Sequence, residues 1–318
     1  MSHYNSCSVL GATVQTNSSM LNAKNYQILG TGISIVNGFL SPVAVLTNFL
    51  ILLALWKTLS LQSASNILVA SLALADLCVG LFLQPMLVFI NLAARHVSTH
   101  AFCVVFQFHM FLAYLFTALS LGTLTYLSIE RSIALHWHLR YYEIATKKKV
   151  AVTVIQLWVF QFVMSTIIWF AIGSYSILVA LSVTGAFSCI LVICYIYISI
   201  WRIVRRHHNR IQSDQISDRQ SGQNALNMLK YKAKTYTSLM ILELFALCYF
   251  PYLCFEIARL ARGGHDFIDI AEYSILETVV FVNSSLNPII YFWRVTHLRR
   301  TAWNSLKSLK VCHNDQNW

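Results

Sequence analysis

The sequence predicts an all-α membrane protein: a seven-transmembrane helix bundle followed by a short amphipathic eighth helix. Three observations predict it. Hydrophobic residues make up 57% of the 318 residues and charged residues only 11%, against about 25% charged in an ordinary soluble domain. The apolar residues gather in seven windows long enough to cross a bilayer as helices, at about 33–56, 64–92, 101–133, 150–171, 176–204, 236–260 and 268–293. The basic residues are lopsided. With the N-terminus outside, Lys57, five in 131–149, eight in 202–234 and five after 293 make 19 inner Lys and Arg of the 23, leaving 4 outside. That split follows the positive-inside rule and accounts for the +11 net charge without nucleic acid; the partner it implies is the lipid bilayer. No β-barrel alternation, internal repeat or low-complexity tract is visible. The expected organisation is an outer N-terminus over 1–32, a membrane domain over 33–293, and an amphipathic helix with a short tail over 294–318.

Each element then has its own reason. The N-terminus lacks a basic–apolar–cleavage pattern, so no signal peptide is expected. Asn17-Ser18-Ser19 is a glycosylation sequon on the proposed outer side. The first window carries Asn48 and the second Asp76, about 18 Å into its helix. A carboxylate in hydrocarbon costs at least ~2.5–3.5 kcal/mol, so it must face the bundle interior. Ser120 on the third span lies at a similar depth, and the seventh offers Asn283, Ser284 and Asn287. Together they make an oxygen-rich cavity suited to a small hard cation and water. The alternatives are a water-filled network without an ion and a protonated Asp76.

The third span ends in Glu130-Arg131, either a solvated ion pair or a latch between helices. Counting outward from Arg131 in helical steps gives Leu127, Leu124, Ser120, Thr117, Ala113 and His109 on one stripe. The loop near Gly173-Ser174 is only a few residues long. On the fifth span Tyr197 and Tyr195 compete for an inward place near Arg131, and the surrounding run favours Tyr197. All four prolines, Pro42, Pro85, Pro251 and Pro288, fall inside spans, where neighbouring helices can satisfy the freed carbonyls. Glu256 lies a little over one turn above Pro251, and Glu277 and Phe281 continue the stripe outward from Asn287. Glu277 needs a cation, supplied by His109, by Arg259 or by a ligand. Beyond Trp293, Val295, Leu298, Ala302, Leu306 and Leu309 share one face at helical spacing, an interfacial helix, and Cys312 follows as a palmitoylation candidate. Of the eight cysteines, Cys78, Cys189, Cys194, Cys248 and Cys254 read as packing residues; Cys7 and Cys103 lie near the outer surface, where a disulfide persists.

These pieces together resemble the rhodopsin-like family of G-protein-coupled receptors, over all seven spans and the tail helix. Asn48 stands at the first-helix Asn. Leu72-Ala73-Leu74-Ala75-Asp76 matches the second-helix pattern, and Glu130-Arg131-Ser132 stands for Asp/Glu-Arg-Tyr. Trp158 matches the fourth-helix Trp. Phe245 and Cys248-Tyr249-Phe250-Pro251 stand for Phe and Cys-Trp-x-Pro. Asn287-Pro288-Ile289-Ile290-Tyr291 is a full Asn-Pro-x-x-Tyr. The departures are Tyr249 for Trp, Ser132 for Tyr, a fifth span without proline, and a second outer loop without Cys. The usual disulfide to that loop therefore cannot form, and Cys7 is the expected partner of Cys103. The short loop and proline-free fifth span look like the melanocortin–cannabinoid–adenosine branch.

The resemblance implies a plasma-membrane receptor with an extracellular N-terminus, an extracellular ligand and a heterotrimeric G protein as partners, and no enzymatic activity. It implies a sodium and water pocket at Asp76, Ser120, Asn283 and Asn287 that collapses on activation; no other cofactor is expected. Ligand contacts are expected from His109, Ala113, Thr117, Tyr249, Glu256, Glu277 and Phe281. Ala113 stands where amine receptors carry Asp, and Phe281 where visual pigments carry their Lys. Glu130, Arg131, Leu139, Tyr197, Phe245, Asn287, Pro288 and Tyr291 are expected to carry the switch and the G-protein contact. The ligand reading is a cationic small molecule or short peptide, chosen for Glu256 and Glu277. The competing classes are a transporter or channel, which would show paired repeats and broken helices, and a membrane enzyme, which would show a metal-spaced cluster or a nucleophile with its base. Neither signature is present in the sequence.

Overall fold

The computed structural model describes residues 7–9, 12–15, 23–57, 63–93, 99–137, 140–172, 175–213, 240–241, 243–259, 261 and 267–294. The apolar windows become helices. They are α1 (Ala23–Lys57), α2 (Ala64–Cys78), α3 (Gln84–Ala93), α4 (Thr99–His136), α5 (Tyr141–Ile144), α6 (Lys147–Ile167), α7 (Tyr175–Ser213), α8 (243–259) and α9 (Ile270–Arg294). The α2–α3 pair is one span joined by a wide π turn, Val79–Leu83, and a second π turn, Ile168–Ile172, ends α6. Among the described residues six helical stretches are long and apolar enough to cross a membrane: Gln27–Lys57, Ala64–Leu92, His100–Ala134, Lys147–Ala171, Ile177–Ser199 and Ile270–Trp293. The α8 helix falls in the remaining window, 236–260. The tail helix expected after residue 294 lies outside the described residues.

The helices outrun their windows. The α1 helix begins at Ala23, not at 33, and α7 continues to Ser213, past 204. The window senses hydrocarbon, whereas a helix continues wherever its backbone bonds do. A small sheet is an addition to the all-α expectation. Strands β1 (Cys7–Val9) and β2 (Ala12–Gln15) form an antiparallel hairpin, and β2 pairs in parallel with β3 (Phe267–Asp269), Val14 opposite Ile268. Strands this short carry too little alternation to read from sequence. The sheet joins the N-terminal segment to the start of α9, and β1 packs against α4.

Burial is arranged for lipid. Large apolar side chains face outward, Trp56 80% and Phe170 78% exposed, while polar groups are drawn inward. Inside, Phe102, Phe106, Leu72, Leu119 and Leu124 are nearly fully buried. Amides and hydroxyls tie α9 to its neighbours, as helices in hydrocarbon require. Asn37 Nδ2 donates to Thr278 Oγ1 at 2.8 Å, Asn48 Nδ2 to the Ser284 carbonyl at 3.0 Å, and Asn91 Nδ2 to Ser274 Oγ at 3.1 Å. The π turn in α2–α3 meets α1 closely at Gly80. A Cβ there would lie 3.0 Å from Val45 Cγ2 and 3.2 Å from the Ser41 carbonyl, and Ser41 Oγ donates to the Gly80 carbonyl at 2.8 Å. Trp158 Nε1 donates to Ser71 Oγ at 3.0 Å, fixing α6 to α2.

Candidate functional site

The interior carries polar groups at three depths along the bundle. At the middle depth, Asp76 is 1% exposed. The Asn287 amide, one residue before Pro288, donates to Asp76 Oδ2 at 2.9 Å, and Ser284 stands beside the same carboxylate. Ser120 and Asn283 are buried as well. Three acceptors have no protein hydrogen-bond partner: Asp76 Oδ1, Asn283 Oδ1 and Asn287 Oδ1. Such orphaned oxygens are rare in folded interiors unless water or an ion fills them. A carboxylate with amide and hydroxyl oxygens is the donor set that hard cations take, so these residues fit a sodium ion. Asn48 bonds the Ser284 backbone and not the carboxylate.

At the inner end, Glu130 and Arg131 are both buried, Arg131 Nε 3.2 Å from Glu130 Oε2. A solvated surface pair is therefore not what forms. Tyr141 of α5 donates to Glu130 Oε1, a contact absent from the sequence reading because helical spacing cannot be carried across a loop. The Tyr291 phenol lacks a hydrogen-bond partner, Ser128 stands beside the Tyr197 phenol, and both phenols lie within electrostatic reach of Arg131. Tyr195 points outward, 75% exposed, so of the two candidates Tyr197 is the inward one. Phe245 stacks on Tyr249, ring centres 4.9 Å apart, and packs in one cluster with Leu124, Ile241 and Tyr291. His136 also ties α4 to α7, its Nε2 3.2 Å from Ser199 Oγ.

At the outer end is a cavity of about 320 Å³. Ala113, Thr117, Tyr249, Glu256, Glu277 and Phe281 all line it. Tyr114, Gln161, Ser182, Tyr252 and Tyr273 complete its polar wall and were missed; Tyr114, Tyr252 and Tyr273 lie beside the positions that the stripes and the proline pick out, and Gln161 and Ser182 stand alone in apolar runs. His109 is not on the wall, a correction to its reading as a lining residue. It is fully buried behind Glu277, with Nε2 2.7 Å from Glu277 Oε2, a distance at which the ring N–H donates to the carboxylate. Tyr273 donates to Glu277 Oε1 at 2.9 Å. The Tyr273 and Phe281 rings stand edge-on to the imidazole, each 6.3 Å away. Of the three partners open to Glu277, the one that meets its carboxylate in this structure is His109. Arg259 instead sits over the Phe255 ring, 5.9 Å from its centre. His109 Nδ1 has no protein partner.

Cys103 is a half-buried free thiol; the Cys7 side chain lies outside the described residues, as do Leu139, Asn17 and Cys312. Among the described residues no group of His, Cys, Asp and Glu is spaced to hold a metal by those side chains alone.

Sequence comparison bears on the whole bundle. The profile described as "7 transmembrane receptor (rhodopsin family)" matches residues 47–177 and 171–291. A histamine H2 receptor of Rattus norvegicus is 27% identical over 303 residues, covering 89% of this chain and 81% of that one. An adenosine receptor A3 of Ovis aries is 23% identical, covering 85% and 87%. A melanocortin receptor 4 of Danio rerio is 22% identical, covering 86% and 85%. With its helical spans, its inward polar residues and a profile match across most of its length, the chain belongs to the rhodopsin family of seven-transmembrane receptors: it is a multi-pass cell-surface G-protein-coupled receptor and not an enzyme.

Proposed function

We propose that this receptor responds to a small extracellular ligand carrying a cationic group, and that a sodium ion at Asp76, Ser120, Asn283 and Asn287 opposes its binding. The observation that carries the ligand class is the pair of acids, Glu256 and Glu277, on the wall of one cavity of about 320 Å³. That volume suits a small molecule or the tip of a short peptide. The ligand's cation approaches Glu277 from the cavity side, opposite His109, and competes with His109 for the same carboxylate. The relatives are named for histamine, adenosine and melanocortin, three different ligands, so likeness alone does not choose among them. Ala113, where amine receptors carry Asp, speaks against the simplest biogenic amine.

The same reading places the N-terminus outside, with Asn17 glycosylated; the expected link of Cys7 to Cys103 is not part of it, because Cys103 is a free thiol in this structure. It places the 294–318 segment inside as an interfacial helix with Cys312 acylated. Arg131, Leu139, Tyr197 and Tyr291 then border the cleft that a heterotrimeric G protein enters, and Phe245, Asn287 and Pro288 transmit the change.

The test is a screen of small amines and amine-bearing peptides on surface-expressed receptor, read as agonist-dependent nucleotide exchange on added G protein. Glu277→Gln is expected to weaken the agonist found by about 2–5 kcal/mol at unchanged surface expression. Wild-type potency in that variant, or an anionic lipid as agonist, defeats the ligand reading.

A further inference from the structure

The outer cavity does not end at its charged wall. Along α4 its lining runs from Met110 to Gly122, about 18 Å at the helical rise. Among the described residues on it, Glu256 and Glu277 alone carry charge, and both stand at the outer end. Glu277 meets His109, the residue before Met110, and Glu256 lies two helical turns outward of Tyr249, which stands beside Thr117. Further in, the wall is apolar: Leu121 and Gly122 of α4, Leu157 of α6, and Ala186 and Cys189 of α7.

This inner part opens sideways. Phe160 of α6 and Leu181 of α7 line the cavity while 61% and 44% exposed, so the cavity reaches the lipid-facing surface between these two helices. Among the described residues α7 meets the α6 span chiefly through the π turn Ile168–Ile172. Inward of that turn each helix packs on α4 and a gap separates them. Gly185 widens the gap, since a Cβ on it would meet nothing within 4 Å. The hydroxyl and amide there are turned to their own helices. Ser182 Oγ donates to the Leu178 carbonyl at 2.7 Å, and Gln161 Nε2 to Ser165 Oγ at 3.4 Å.

The shape selects among cationic ligands. A cation needs a charged counterpart, and the acids supply one at a single end of the cavity. A peptide chain lying in the gap would leave its backbone N–H and C=O groups without partners, which hydrocarbon penalises heavily. A hydrocarbon tail would meet apolar walls on one side and lipid on the other. A sterol would fill the gap but bring no cation to the acids.

We propose that the ligand is a cationic amphiphile, a long-chain amine whose ammonium reaches Glu277 from the cavity side. Its tail runs along Gly122 and Leu157 and out between Phe160 and Leu181 to the bilayer. The same gap gives the ligand a way in from the lipid. The proposal rests on the cationic reading of Glu277 and adds the tail to it.

The experiment uses the full chain in nanodiscs. The probe is a long-chain primary alkylamine with a photoreactive diazirine at the end of its tail, and its label is mapped by peptide mass spectrometry. Label is expected within 157–161 and 181–189, removable by excess decylamine. Decanol, with the same tail and no charge, is expected to compete about tenfold less well. Gly185→Leu fills the gap at constant charge and is expected to lower the competable label about tenfold. Leu181→Trp fills it one turn outward and serves if Gly185→Leu does not fold. Glu277→Gln is expected to lower the label as well. Label kept in the folded gap-filling variant but lost in Glu277→Gln would overturn the tail and leave the cationic reading standing. Label lost in Gly185→Leu but kept in Glu277→Gln, or equal competition by decanol, would defeat the cationic reading and this proposal with it. Label that decylamine does not remove would mean an acyl chain of the bilayer only and overturn the site. Label confined to α8 and α9 would do the same.

Discussion

Asp76 and Glu277 are both buried carboxylates facing the middle of one bundle, yet they are satisfied differently. The protein surrounds Asp76 with neutral groups: an amide from Asn287 and the nearby Ser284. It leaves Oδ1 and two neighbouring amide oxygens without partners. Glu277 receives both of its bonds from within, from His109 at 2.7 Å and Tyr273 at 2.9 Å. Along α9 the two layers are ten residues apart, Asn287 to Glu277, or about 15 Å. One layer leaves oxygens without partners, open to a cation from solution; in the other an imidazole already holds the carboxylate. The difference teaches where an outside molecule acts directly and where it must first displace part of the protein.

The largest effect is expected from breaking the outer pair on one side only. His109→Ala leaves the buried Glu277 carboxylate with the Tyr273 hydroxyl alone, and a broken buried pair typically costs about 3–5 kcal/mol. Thermal unfolding of purified receptor should fall sharply. The double variant His109→Ala/Glu277→Gln should recover most of the loss, because a neutral amide needs no counter-charge. If the single variant is as stable as wild type, His109 is not the partner that matters.

The inner layer should behave in the opposite way. Asp76→Asn removes a charge that has no internal cation, so stability should change little while the sodium dependence of agonist affinity disappears. A coupling of about 1–3 kcal/mol is typical between linked sites. Glu277→Gln should leave that sodium dependence in place. A sodium effect that survives Asp76→Asn and vanishes in Glu277→Gln would exchange the roles of the two layers.

The smallest effects belong to the inner end, where the comparison can be sharpened. Glu130→Gln should raise basal nucleotide exchange at matched surface expression by loosening Arg131. Tyr141→Phe removes one hydrogen bond to the same carboxylate, about 0.5–1.5 kcal/mol for a neutral bond and up to about 3 for a charged one. It should raise basal exchange in the same direction and by less. Equal basal exchange in all three receptors would mean that the Glu130–Arg131 contact does not restrain the switch.

The spans were legible because hydrocarbon imposes a length and a composition that a sequence displays directly. The Asp76 layer was legible because each polar residue there violates the apolar rule and lies at a depth that can be counted from a span end. The outer cavity was legible in part on α4, α8 and α9, where a stripe or a proline set the register, although Tyr114, Tyr252 and Tyr273 on those helices lie off it. It was illegible at Gln161 and Ser182, which stand alone among apolar residues; Trp158 marks α6 but does not by itself say which neighbours face the cavity. His109 shows the limit of a stripe: spacing put it on the right helix face, but whether it lines a cavity or backs another residue depends on the α9 side chains before it. Tyr141 and the β1–β2–β3 sheet depend on where loops return, and nothing periodic encodes that.

The parallel pairing of β2 with β3 also bears on biosynthesis. Thr13 sits opposite Phe267, so one of the first strands to leave the ribosome meets its parallel partner only after six spans have been made. Until then β2 has the hairpin with β1 and one open edge, the kind of edge that recruits other chains. Contacts of such sequence separation form late in folding. A nascent receptor arrested before its last span would therefore display an unfinished strand, and completion of this small sheet would mark a chain whose first strands have met the start of its last span.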